Sequence, residues 1–225
     1  MLKKFWSWGH DFIGALIFHA TQASGVGHDF KLTVTGTTPT ATVVDGSGCG
    51  ELTMAHSNAT EVQNICLSHD DKLDMDIDLI RTFRTRIKAG QTSLNAATTF
   101  SIGLASDRND TIESIAAFAL FKVLGTNEVL ISTDDGTTDL SDKATGISIS
   151  STAWTDLVID FSNKKDVKFQ VGGQHVCKDI TFDMSAYSSA LQPYMQLQKT
   201  SSNNTDSIII DYIEVEGVRS LPSAT

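Results

Sequence analysis

Apolar and polar residues alternate one by one along most of this chain, most clearly over 153–177, AWTDLVIDFSNKKDVKFQVGGQHVC. Trp154, Leu157, Ile159 and Phe161 form one apolar set, and Val167, Phe169 and Val171 a second that alternates with Asp166, Lys168 and Gln170. A period of two places successive side chains on opposite faces of a half-buried strand. Ser162, Asn163, Lys164 and Lys165 separate the two sets by a polar loop long enough for a hairpin. Gly172 and Gly173 then supply the positive φ that a tight turn requires. The segment predicts an antiparallel hairpin and a second turn into His175, Val176 and Cys177.

The same alternation predicts shorter strands around Phe30, Leu32 and Val34, and over 41–44, 51–57, 62–68, 98–105, 128–133, 147–150, 194–199 and 207–218. The run 115–123 is almost continuously apolar and suits a helix by propensity. Its strand neighbours and the spacing of about ten residues favour β. The longest alternating run, 73–88, sets Leu73, Met75, Ile77 and Leu79 against Asp74, Asp76 and Asp78, then slips in phase at Ile80. A bulge, or a corner between two sheets, accounts for such a slip. Roughly twelve short strands without a fixed repeat predict an all-β protein, a β-sandwich or jelly roll.

Residues 1–23 depart from that pattern. At helical period Leu2, Phe5, Trp6, Phe12, Ile13, Leu16 and Ile17 share one broad face, with Ser7, His10 and Asp11 off it. This predicts a short N-terminal helical arm, 1–23, ahead of a sandwich domain, 24–225. Its two lysines and apolar middle imitate a secretory signal, but His10 and Asp11 interrupt the apolar run. No apolar stretch approaches the roughly 20 residues that would span a membrane. Such an aromatic arm folds back on its own domain, docks on another chain or bundles with copies of itself. Phe5, Trp6, Trp8, Phe12, Ile13 and Leu16 are the candidate contact residues.

Charge and cysteines narrow the partners. With 27 acidic against 17 basic residues and a net charge of −10, the chain lacks the basic surface a nucleic-acid binder needs. Cys49, Cys66 and Cys177 are odd in number and show no metal-ligand spacing, which suits reduced thiols in a protein assembled in the cytoplasm. A chain of 225 residues can bury a core that needs no disulfide.

Candidate chemistry is sparse. Asp74, Asp76 and Asp78 resemble the paired carboxylates that some jelly-roll glucanases carry on one strand. Residues i and i+4 of a strand lie about 13 Å apart, whereas retaining hydrolysis needs carboxyl groups about 5–5.5 Å apart. Calcium is a second idea, with oxygens from Asp134 and Asp135 and from Asp107, Asn109 and Asp110, but no defined ligand spacing appears. The six histidines and the serines form no metal or nucleophile motif. The residues thus predict no catalytic, cofactor or metal site, and no enzyme. Tyr187 and Tyr194 are possible platforms for a glycan.

The Trp-led strand, polar turn and Val-x-Phe-x-Val-Gly-Gly strand resemble the hairpin of concanavalin A-like (laminin-G-like) jelly rolls. Over 100–219 the order TTFSIGLAS, IAAFALFKV, VLISTDDGT, WTDLVIDF, VKFQVGGQHV and SIIIDYIEVEGVR is similar to small structural proteins of tailed phages. The resemblance implies a capsid decoration (cement) protein on the virion, assembled in the host cytoplasm. It implies contact with the major capsid protein or another virion protein, commonly as a homo-oligomer, a trimer being favoured. A carbohydrate-binding module of a tail fibre or receptor-binding protein is the alternative, with a glycoside hydrolase behind it.

Overall fold

The computed structural model describes residues 5–12, 30–45, 50–70 and 75–219. Alternation along the chain builds two eight-stranded antiparallel sheets that pack face to face. Sheet A runs β14 (Gln174–Val176), β13 (Lys168–Val171), β12 (Thr155–Asp160), β7 (Ile80–Ala89), β16 (Ser207–Val218), β4 (Gly50–Ala55) and β3 (Thr40–Asp45). Its eighth strand, β1 (Phe5–His10), pairs with residues 213–218 of β16, in line with β4, which pairs with 207–210. Sheet B runs β11 (Asp139–Ser148), β10 (Glu128–Asp134), β9 (Phe118–Val123), β8 (Thr98–Ala105), β15 (Ala190–Ser202), β5 (Glu61–Ser68) and β2 (Lys31–Thr35). The short β6 (Met75–Asp76) pairs with β15.

The inward residues of each strand make the core. Phe83, Leu157, Ile159, Phe169, Ile210 and Val215 of sheet A meet Ile65, Phe100, Ile102, Phe121, Ile131 and Leu197 of sheet B. Phe121 and Phe169 meet edge-to-face across the layer, with centroids 5.4 Å apart. Buried polar groups tie the loops at one end. The Lys199 ammonium, fully buried, donates to the carbonyls of Ser57, Ala59 and Asn204 at 2.8–3.0 Å. Asp206 accepts from Gln91, Asn95, Thr98 and Asn204.

The 153–177 hairpin forms as its pattern predicts, with Gly172 and Gly173 at φ 58° and 77°. Segment 115–123 yields β9, a strand. The phase slip in 73–88 is a corner: β6 lies in sheet B, the chain turns after Asp76, and β7 enters sheet A. Strand β11 goes further than the 147–150 expected. Its polar sequence hides its period because two register shifts interrupt its pairing with β10.

The predicted N-terminal helix is corrected. Phe5–His10 is a strand, with Trp6, Trp8 and His10 half-buried and Phe5, Ser7 and Gly9 exposed. A short isolated helix is marginal in water, whereas this segment gains a ladder with β16 and a place in the core for two tryptophans. Trp6 Nε1 donates to the Val218 carbonyl at 3.2 Å. Trp8 stands edge-on to Phe30 and His69, with centroids 5.9 and 5.1 Å away. Phe12 is fully buried and stacks on Phe30. Residues 13–29, which carry Ile13, Leu16 and the anticipated boundary at 23, lie outside the described residues.

Gly217 seats this strand. A Cβ there would lie 2.3 Å from the Trp6 ring and 2.6 Å from the Leu79 carbonyl oxygen. Gly217→Ala is expected to lower stability by about 2 kcal/mol through overpacking, read as a lower urea midpoint. An unchanged midpoint would show that Trp6 is not held there.

Candidate functional site

The solvent face of sheet A is assembled by register. Arg86 of β7 lies opposite Asp156 of β12 and Tyr212 of β16; Arg84 lies opposite Val158 and Glu214; Thr82 lies opposite Asp160 and Glu216. Cations and carboxylates on neighbouring strands then meet. Arg84 pairs with Glu216 at 3.2 Å and reaches Glu214 at 3.9 Å, and Lys88 pairs with Glu51 at 3.3 Å.

A shift in the β16–β7 register between Ile210 and Tyr212 turns the nearly buried Asp211 carboxylate under Arg86. Arg86 Nε donates to Asp211 Oδ2 at 2.8 Å, and a second guanidinium nitrogen reaches the same oxygen. Arg86 also lies between two half-buried rings, 5.6 Å from the Trp154 centroid and 5.8 Å from that of Tyr212. Lys88 Nζ sits 4.1 Å over the Trp154 ring. Burial, and then the nearby Asp156 carboxylate, hold the Tyr212 hydroxyl above its usual pKa, so it stays a neutral donor.

Two hollows lie along β1 and β16. The larger, about 670 Å³, is lined by Phe5, Trp6, Ser7, Thr82 and Glu216 among others. The smaller, about 340 Å³, is lined by Gly9, His10, Asp11, Tyr212, Ile213 and Glu214. Both fall in the size range of small-ligand sites.

The anticipated contact residues separate. Phe5 stands 71% exposed at the larger hollow, Trp6 and Trp8 pack against the core, and Phe12 is buried. Of the two tyrosines expected as platforms, Tyr194 is fully buried and Tyr187 is half-buried, donating to the Ala190 carbonyl at 3.1 Å. Trp154 and Tyr212 are instead the half-buried rings beside Arg86 on the solvent face of sheet A.

The described members of the aspartate run, Asp76 and Asp78, make local contacts. Asp76 caps the Asp78 N–H at 2.9 Å within a turn, Asp78 pairs with Lys164 at 2.6 Å, and Asp74 lies outside the described residues. The acidic loops are used internally. Asp135 accepts from the N–H groups of Thr137, Thr138 and Ala186, and Asp110 pairs with Arg108. No cluster of three metal-ligating side chains occurs among the described residues. Cys66 and Cys177 are free thiols.

A third hollow, about 470 Å³, gathers Glu113, Asp134 and Asp139 at the β10–β11 end of sheet B. Burial raises the Asp134 carboxyl above its usual pKa, and Asp139, Asp135 and Glu113 add to this against the Gly136 N–H. That is the direction a general acid needs.

No protein-family model and no curated relative matches the chain. Solved structures do. A protein of unknown function from Shewanella oneidensis MR-1 superposes with a TM-score of 0.64 at 13% identity, over 100% of this chain and 91% of that one. A glycoside hydrolase family 16 endo-glucanase from Bacteroides ovatus gives 0.60 at 10%, over 92% and 99%. A carbohydrate esterase of the Shiga toxin-encoding bacteriophage φ24B gives 0.50 at 16%, over 84% and 90%. The chain is a concanavalin A-like jelly roll, the fold on which these carbohydrate-active proteins are built. The expectation that it is no enzyme is corrected accordingly: glycoside hydrolases carry this same architecture over nearly its whole length.

Proposed function

We propose that the protein is a phage virion component that binds a neutral glycan on the solvent face of sheet A. One observation carries the reading: Trp154, just ahead of β12, and Tyr212 of β16 flank Arg86 with both rings partly open to solvent, and Tyr212 also lines the smaller hollow. Sugar rings offer apolar C–H faces to aromatic side chains and hydroxyls to the charged groups around them. Arg84, Arg86 and Lys88 already have carboxylate partners, which favours a neutral sugar over an anionic one. The carbohydrate activities named for the endo-glucanase and the phage esterase support the ligand class. The likeness of 100–219 to phage structural proteins supports the setting.

Titration with glucan oligosaccharides and bacterial surface polysaccharides, read by tryptophan fluorescence, tests this. Trp154→Ala and Tyr212→Ala are each expected to weaken binding about tenfold, ~1.4 kcal/mol. Absence of wild-type binding, or affinities that neither substitution changes, would end the reading. Release of sugar products by the wild type would move the working site to Glu113, Asp134 and Asp139.

Phe5 favours a second reading, capsid decoration. An exposed aromatic at a groove is the kind of anchor that dominates a protein interface. The partner is then the major capsid protein, with the chain bound as an oligomer. In this case Phe5→Ser lowers capsid occupancy and Trp154→Ala leaves it intact; full occupancy by Phe5→Ser refutes it.

A further inference from the structure

Segment 106–117 joins β8 to β9 and folds over the outer face of sheet B. Its ends are tied to each other. The Ser106 N–H donates to the Ala117 carbonyl at 2.8 Å, and the Ala117 N–H donates to Ser106 Oγ at 3.1 Å. The β8–β9 ladder begins directly below, at Ala105 opposite Phe118, so residues 107–116 can lift without breaking a strand pair. Within 107–116 the buried residues are Ile112 and Ile115, which pack on Cys66, Ala105, Phe118, Leu120 and Tyr194.

The face beneath also carries polar side chains. Cys66, Gln196, Ser101 and Lys122 form one row across β5, β15, β8 and β9. Its donors reach for the segment. The Tyr194 hydroxyl and Gln196 Nε2 both donate to the Asn109 carbonyl at 3.1 Å, and Asn64 Nδ2 donates to Asp110 Oδ1 at 2.7 Å. Lys122 Nζ holds Glu113 at 3.1 Å and Asp142 of β11 at 2.7 Å.

The fit is nevertheless incomplete. Asn64 Oδ1, Ser101 Oγ, Gln196 Oε1 and Arg108 Nε are buried without a hydrogen-bond partner. A buried polar atom with no partner bears its full desolvation penalty, and lifting the segment relieves all four together. Against that, the segment is anchored by two isoleucines, the ion pair from Lys122 to the half-exposed Glu113, and hydrogen bonds to the Asn109 carbonyl and Asp110 that water can replace once it lifts.

We infer that residues 107–116 are a lid that opens about the tie between Ser106 and Ala117 while both sheets stay folded. Opening presents the side chains of Asn64, Ser101, Tyr194 and Gln196, on one face of sheet B, to an acceptor-rich ligand in place of the segment's own carbonyls. This inference stands apart from the sheet A site, since the two faces share no residue.

Cys66 is a built-in reporter. It is fully buried beneath the lid, and burial pushes its thiol up to about 12, so it is inert while the lid is closed. Cys177, half-buried elsewhere, is the internal control. Alkylation by excess N-ethylmaleimide, resolved by mass spectrometry across low urea concentrations, measures opening. The expected result is Cys66 labelling faster than global unfolding and insensitive to low urea, accelerated about threefold by Glu113→Gln and about tenfold or more by Ile115→Ala. Labelling that follows global unfolding, with its full urea dependence in the wild type and in Glu113→Gln, would overturn the lid.

Discussion

The two sheets are stitched together at one end by an aromatic seam, and the solvent face of sheet A depends on it. Trp8 and His10 come from β1 and Phe12 follows it; Phe30 precedes β2 and His69 follows β5 on the other sheet. Their rings meet at tilted, edge-on and offset angles, with centroids 4.7–6.4 Å apart. Such pairs add about 0.5–1.5 kcal/mol each beyond their burial. With β1 held, the second half of β16 has a partner on both sides, and its register sends Tyr212, Glu214 and Glu216 to solvent.

Charges inside this sandwich are few, and each is answered by name. Asp211 lies under Arg86, Lys199 under three carbonyls, and Lys122 between Glu113 and Asp142. These pairs do more to fix geometry than to add stability, since removing ions from water costs much of what their attraction returns. The Arg86–Asp211 pair holds a cation between two rings at a bulge, where a plain ladder would have placed no carboxylate beneath it. On sheet B the compensation is less complete, and the partnerless polar atoms of Asn64, Ser101 and Gln196 beneath 106–117, with Arg108 Nε on the segment itself, mark the place where the fold gains from moving.

Local periodicity made much of the fold legible. The hairpin, β8, β16 and the corner after Asp76 all follow from alternation and its breaks. The N-terminus misled because Trp6 fits a period of two with Trp8 and, with Phe5 and Phe12, a helical face over so short a window. Only the pairing with β16, two hundred residues away in sequence, decides between them. Trp154 does carry a local signal. Its even position is out of phase with the buried Leu157, Ile159 and Phe161, and Tyr212 shares the phase of Glu214 and Glu216. Tyr194 shows the opposite case: its alternation with Met195 and Leu197 points it away from the core, yet a loop from elsewhere covers it. The Asp211–Arg86 contact, which depends on a register shift, has no local signature at all.

The most direct test is to map a bound glucan oligosaccharide by NMR, following the Trp154 indole N–H and the backbone amides of both sheets during titration. Shifts are expected at Trp154, Arg86, Tyr212 and Glu214, with the amides around Ser101, Tyr194 and Gln196 unmoved. Shifts confined to Ser101, Tyr194 and Gln196 would contradict that expectation and place the working surface on sheet B.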